Sequence, residues 1–87
     1  MLKILRSANG DVVLTVSGRL ETENVGDLSA MLAREGKNQT LVLDLKDVVL
    51  VDRDSVRFLR EREHEGITLR NCPLYIREWI TRDSEEP

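Results

Sequence analysis

The sequence predicts an α/β fold: a four-stranded mixed sheet, antiparallel in an N-terminal hairpin and parallel elsewhere, with about three helices. Three observations lead there. The segment Asp11-Val12-Val13-Leu14-Thr15-Val16-Ser17 alternates apolar and polar residues with period two, directly after the hairpin signal Asn9-Gly10. Further strand-like runs at 40–45 and 67–70 are separated by stretches whose apolar residues recur at helical spacing. The order strand, strand, helix, strand, helix, strand, helix then demands crossover connections, and crossovers make neighbouring strands parallel.

Each element has its own local cause. The first hairpin arm, Leu2 to Ser7, is short and carries Lys3 and Arg6, charges that suit a guarded edge strand. Gly18-Arg19-Leu20 breaks the second strand and leads into a helix whose Val25, Leu28, Met31 and Leu32 form one apolar stripe. Asn24, with Asp27 three residues on, is placed as its N-cap, and Gly36 as its left-handed terminator. Thr40 to Leu45 is apolar at nearly every position, which predicts a central strand covered on both faces. After the turn Asp52-Arg53-Asp54-Ser55, a helix to Glu65 offers Val56, Phe58 and Leu59 to the core and leaves Arg53, Arg57, Arg60, Glu61, Arg62, Glu63 and Glu65 outside. Gly66 closes it, Ile67-Thr68-Leu69-Arg70 forms a short strand, and Pro73 opens a last helix with Ile76, Trp79 and Ile80 on one face. Residues 1–81 are thus a single domain; 82–87 lack a core residue and are predicted to be a flexible tail.

Composition narrows the function classes. Eighty-seven residues, 40% hydrophobic, suffice for one compact domain and exclude two independent ones. Thirteen basic and sixteen acidic residues give a net charge of -3, which argues against nucleic acid as a partner. No apolar run approaches the ~20 residues of a membrane span, and Met1-Leu2-Lys3-Ile4-Leu5-Arg6 is too soon charged for a signal peptide, so a cytoplasmic location without membrane insertion is expected. Cys72 is the lone cysteine, so no internal disulfide or two-cysteine metal motif can form.

The chemistry-bearing residues concentrate where Val48-Val49-Leu50-Val51 delivers Asp52, Asp54 and Ser55 to a helix start. Residues of these types cap helices, and that is the first reading of all three. Arg53, Arg57 and Arg60 follow along one helical flank that could recognise an acidic partner, although acids are interspersed and a solvated face is the preferred reading of the row. Paired carboxylates also raise an acid pair or a Mg²⁺ site, but no second acid cluster or well-placed lysine completes either. His64, between Glu63 and Glu65, has no nucleophile near it in sequence, and Tyr75 and Trp79 stand at a spacing that favours packing. A non-catalytic protein without cofactor or metal is the expectation.

The run Leu41-Val42-Leu43-Asp44-Leu45 through Val51-Asp52-Arg53-Asp54-Ser55 resembles the central signature of STAS domains, the family of bacterial anti-anti-sigma factors and the cytoplasmic ends of sulfate transporters. There the strand and turn read like "LVLDLSGVTFIDSSGL", and the second serine is phosphorylated. Val16-Ser17-Gly18-Arg19-Leu20-Glu21 is similar to the family's "V-x-G-x-L-D", and Gly66 through Pro73 to its "G-x-x-L-x-L-x-N-x-P". The resemblance covers about Val12 to Ile80 and aligns Asp52 with the family aspartate, Arg53 with the first serine, Asp54 with the phosphorylated serine and Ser55 with the glycine.

What this implies is a STAS-like interaction module docking on an anti-sigma factor or switch-kinase-like ATPase through Asp52, Arg53, Asp54, Ser55, Arg57 and Phe58. Asp54 supplies about one permanent negative charge where a phosphoserine would carry about -1.5 to -2, so phosphate control at that position is not expected. Ser55 sits one residue on, rotated by about 100° on a helix, and does not inherit the phosphosite. The alternative is a STAS subunit of a lipid-trafficking ABC-type transport complex, pressing on a transporter ATPase. Family members continue with another strand and helix beyond the one containing Trp79, which implies that a partner or a second copy of the chain covers the exposed edge.

Overall fold

The computed structural model describes residues 2–35 and 39–85. Strands β1 (Leu2–Asn9) and β2 (Asp11–Leu20) form an antiparallel hairpin in which Leu5 faces Thr15. It reverses at Gly10, whose φ of +90° lies in the left-handed region that only glycine adopts freely. Helix α1 (Thr22–Ala33) crosses to β3 (Leu41–Val51), which pairs parallel with β2; helix α2 (Arg53–His64) crosses to β4 (Thr68–Arg70), parallel to β3. Helix α3 (Leu74–Glu85) ends the described chain, and the sheet order is β1-β2-β3-β4. This is the predicted four-stranded mixed sheet with three helices.

Alternation decides which side of the sheet is buried. Leu14 pairs with Leu43, and these two with Val16, Leu20, Leu45, Val48 and Val51 form the apolar face. Leu28 and Leu32 of α1, Val56, Phe58 and Leu59 of α2, and Ile76 and Ile80 of α3 all enter that same cluster. The opposite face carries Lys3, Leu5, Ser7, Val13, Thr15, Ser17, Asp44, Thr68 and Arg70, all exposed or half-buried, with Leu5 54% exposed. The expectation that β3 is covered on both faces is therefore corrected: β3 is central, but the three helices fill one side. Its continuous apolar run misleads because Val42, buried between Val13 and Thr68, is a solitary apolar contribution to the other face.

The second half of β3 abandons period two. Leu45, Val48 and Val51 are buried with two exposed residues between each, and Val49 is 70% exposed despite its apolar neighbours. The pairing explains this: from Thr15–Asp44 to Ser17–Asp47, and again from Gly18–Val48 to Arg19–Leu50, β3 uses one residue more than β2. Two β-bulges keep every third side chain inward and bend the strand on its way to Asp52. Gly18, at the second bulge with φ +94°, continues β2 where the sequence suggests a break.

Helix boundaries follow their caps. The N-cap of α1 is Glu21; Asn24, predicted to hold that place, lies three positions later, where its Oδ1 accepts the Glu21 N–H at 3.1 Å. The predicted terminator Gly36 lies outside the described residues. Helix α2 closes as expected: Gly66 has φ +106°, and the Ile67 N–H returns to the Arg62 carbonyl at 3.1 Å. In α3 the Pro73 carbonyl accepts from Ile76 and Arg77, both at 3.0 Å. The helix continues through Arg82 and Asp83 to Glu85, beyond the residue 81 limit set by the last core side chain. Its final turn is held by polar rather than apolar contact: Asp83 meets Arg60 at 3.2 Å with its side chain 8% exposed. Arg77 and Glu63 add a bidentate pair at 2.8 and 2.9 Å, a second tie between α2 and α3.

Candidate functional site

At the end of bulged β3 the chain turns sharply into α2, and Asp52 takes the N-cap with extended backbone angles. Its Oδ1 accepts the Ser55 N–H at 2.9 Å, the usual cap bond. Its Oδ2 reaches the other crossover helix, accepting the Thr22 N–H at 2.7 Å and the Thr22 hydroxyl at 2.8 Å. One carboxylate thereby satisfies free N–H groups at the starts of both α1 and α2, and two positive helix ends converge on one negative charge. Partial burial alone would raise the carboxyl; the attraction of Ser55 and the hydrogen bonds from Thr22 prevail and lower it to about 2. This tie also starts α1 at Thr22, two residues before Asn24.

Asp54 occupies the next turn position and is exposed. The Thr22 hydroxyl shares its single proton with it at 3.2 Å, so Asp54 borders the junction of the two helices without being enclosed by it. Thr22 is the site residue that sequence spacing does not reveal: it lies 30 positions from Asp52, and its only signal is a hydroxyl residue at a helix start. Glu21, Thr22, Glu23 and Asp52 line a shallow depression at this junction.

The six residues predicted to meet a partner do not all reach the surface. Asp54, Arg53 and Arg57 are exposed and Asp52 is half-buried. Ser55 is 0% exposed and Phe58 6%, so both side chains face the core rather than the exposed helix end. The reason is helical geometry: Ser55, Phe58 and Leu59 stand three and four residues apart, with Val56 beside them, and turn toward the sheet together. The Ser55 hydroxyl is buried without a hydrogen-bond partner among the described residues, and the Arg62 guanidinium lies 5.3 Å from the Phe58 ring centre, covering it. Arg60, third in the predicted arginine row, turns toward α3 and Asp83.

Other candidates fall away from this junction. His64 is exposed in the last turn of α2, and Cys72 is half-buried with burial pushing its thiol up. Trp79 packs half-buried against the core while Tyr75 is 47% exposed. Among the described residues no group of three His, Cys, Asp or Glu side chains could hold a metal ion, and no helix is long and apolar enough to cross a membrane.

No family model matches the chain, and no curated protein does. Among solved structures it is similar to an uncharacterized protein from the DUF3478 family with a SpoIIAA-like fold from Shewanella loihica PV-4. The likeness has a TM-score of 0.54 and 14% sequence identity, over 97% of this chain and 75% of that one. The chain thus has a SpoIIAA-like fold.

Proposed function

We propose that this chain is a non-catalytic STAS-like module that docks on a protein partner, an anti-sigma factor or switch-kinase-like ATPase, through the exposed junction of the α1 and α2 N-termini. The observation that carries the reading is the division of labour between the two acids. Asp52 is engaged on both oxygens by Thr22 and Ser55 and holds the junction together, whereas Asp54 faces solvent at the position that aligns with the family phosphoserine. A fixed carboxylate there presents a partial version of the phosphorylated surface at all times, so docking depends on the identity of residue 54 rather than on a kinase. Burial of the Ser55 hydroxyl supports the same view, since an enzyme cannot reach it in the folded chain.

Affinity capture from lysate of the source cell, with wild type, Asp54→Ser and Asp54→Lys as baits, tests this. The reading predicts an anti-sigma-type ATPase whose recovery changes with residue 54, rising in Asp54→Ser if the carboxylate imitates the excluded state. Transporter ATPase subunits recovered equally by all three baits would support the transport-complex alternative instead.

A further inference from the structure

Most paired arginines of this protein meet a carboxylate at close range: Arg6 with Glu35 at 3.0 Å, Arg60 with Asp83 at 3.2 Å, Arg62 with Glu65 at 2.7 Å and Arg77 with Glu63 at 2.8 Å. Arg19, Arg34, Arg53, Arg57 and Arg70 have no ion pair among the described residues, and Arg82 approaches only Glu78, at 4.0 Å, with its side chain 74% exposed. Of these, Arg53 and Arg82 share the flank where α2 meets α3, and Arg57 follows Arg53 along α2. Arg53 and Arg57 stand one turn apart on the same side of α2. Arg53 and Arg82 line one cleft together with Trp79 and Asp83. The acid in that cleft, Asp83, pairs with Arg60 at 3.2 Å and its side chain is 8% exposed.

We propose that this flank binds an acidic segment of a partner protein, with Arg53, Arg57 and Arg82 receiving its carboxylates and Trp79 providing the apolar anchor between them. The inference rests on the reading of the chain as an interaction module and gives its partner a chemistry. A guanidinium presents a planar fork of donors that matches a carboxylate; Arg53 and Arg57 have no ion pair among the described residues, and Arg82 has only its long, exposed contact with Glu78 to exchange. Arginine and tryptophan are the residue types that concentrate binding energy in protein interfaces, and a half-buried Trp79 is already held in place by the core it packs on. The net charge of -3 favours a short acidic peptide stretch over an extended polyanion, which would meet repulsion beyond the flank.

The test is an NMR titration of the isotope-labelled full chain with an oligoglutamate peptide, following backbone amides, arginine Nε–H groups and the Trp79 indole. Shifts concentrated on Arg53, Arg57, Trp79 and Arg82 are expected, together with roughly tenfold weaker binding by the Arg53→Ala/Arg82→Ala variant. That variant should otherwise retain the wild-type spectrum, and Arg53→Lys/Arg82→Lys should recover part of the affinity. Absence of binding, shifts spread evenly over Lys3, Arg6, Arg19 and Arg34, or unchanged affinity in the alanine variant would overturn the proposal. Equal binding of an oligothymidylate of the same charge would also overturn it, because phosphate rather than carboxylate would then be recognised. A failed titration leaves docking at the α1–α2 junction standing, since that depends on residue 54 and is read by capture.

Discussion

A single carboxylate oxygen of Asp52 accepts both the backbone N–H and the hydroxyl of Thr22, 30 residues earlier, while the other oxygen caps α2 through Ser55. Asp52 therefore joins two crossover helices at the point where both leave the sheet. The surface that a partner can meet there is fixed by this tie, and Asp54 is held at its border.

Removing the tie should cost more than removing an ordinary cap. Asp52→Ala is expected to destabilise by about 2 kcal/mol, the upper range for a cap, because the Thr22 donors lose their acceptor as well. Thr22→Val should cost about 1 kcal/mol. Urea unfolding of both single variants and the double variant should show coupling of about 1 kcal/mol, whereas additive losses would mean that the two residues act independently.

The same carboxylate predicts an acid-sensitive window. Its folded-state value, about 2, lies below the ordinary 3.8, so the unfolded chain binds the proton more readily. Asp52 thus contributes its stabilisation fully above about pH 4 and loses it as pH falls through about 2. Unfolding free energy measured against pH should fall more steeply in this window for wild type than for Asp52→Asn, which has no carboxylate to titrate.

Ser55 should behave oppositely to Asp52. Its hydroxyl is buried without a hydrogen-bond partner among the described residues, so Ser55→Ala removes an unsatisfied polar group and creates only a small void. Stability within about 0.5 kcal/mol of wild type, or above it, is expected in denaturant titration.

Where the last helix ends depends on one ion pair. Asp83→Ala should remove the carboxylate partner of Arg60 while keeping the Arg60 hydrogen bond to the residue 83 carbonyl, and cost about 1 kcal/mol. Hydrogen exchange should then accelerate in α3 after Ile80 while the turns around Ile76 remain protected.

What the sequence made legible is what repeats within a short window. The period-two run around Leu14, the helical stripe of Leu28 and Leu32, and the glycine after α2 each announce themselves locally, and together they determine the element order. The site was half legible for the same reason: Asp52, Asp54 and Ser55 are neighbours, but the Thr22 contact joins residues 30 apart and no local pattern encodes it. The bulges in β3 erase the usual alternation, so Val49 and Leu50, inside an apolar run, face outward at 70% and 41% exposure. Phe58 reads both as a core residue and as a partner contact, and its position three residues after Ser55 turns it inward. Counting apolar residues alone also hides the Asp83–Arg60 pair, which lies in the last described turn of α3.

The measurement that bears most directly on the docking site is hydrogen–deuterium exchange of the chain with and without its captured partner. Docking at the helix junction predicts new protection in residues 21–24 and 52–57, with the open sheet face around Leu5, Val13 and Thr15 exchanging as in the free chain. Protection confined to that sheet face, with the junction unchanged, would contradict the account and place the partner on the side that the helices leave uncovered.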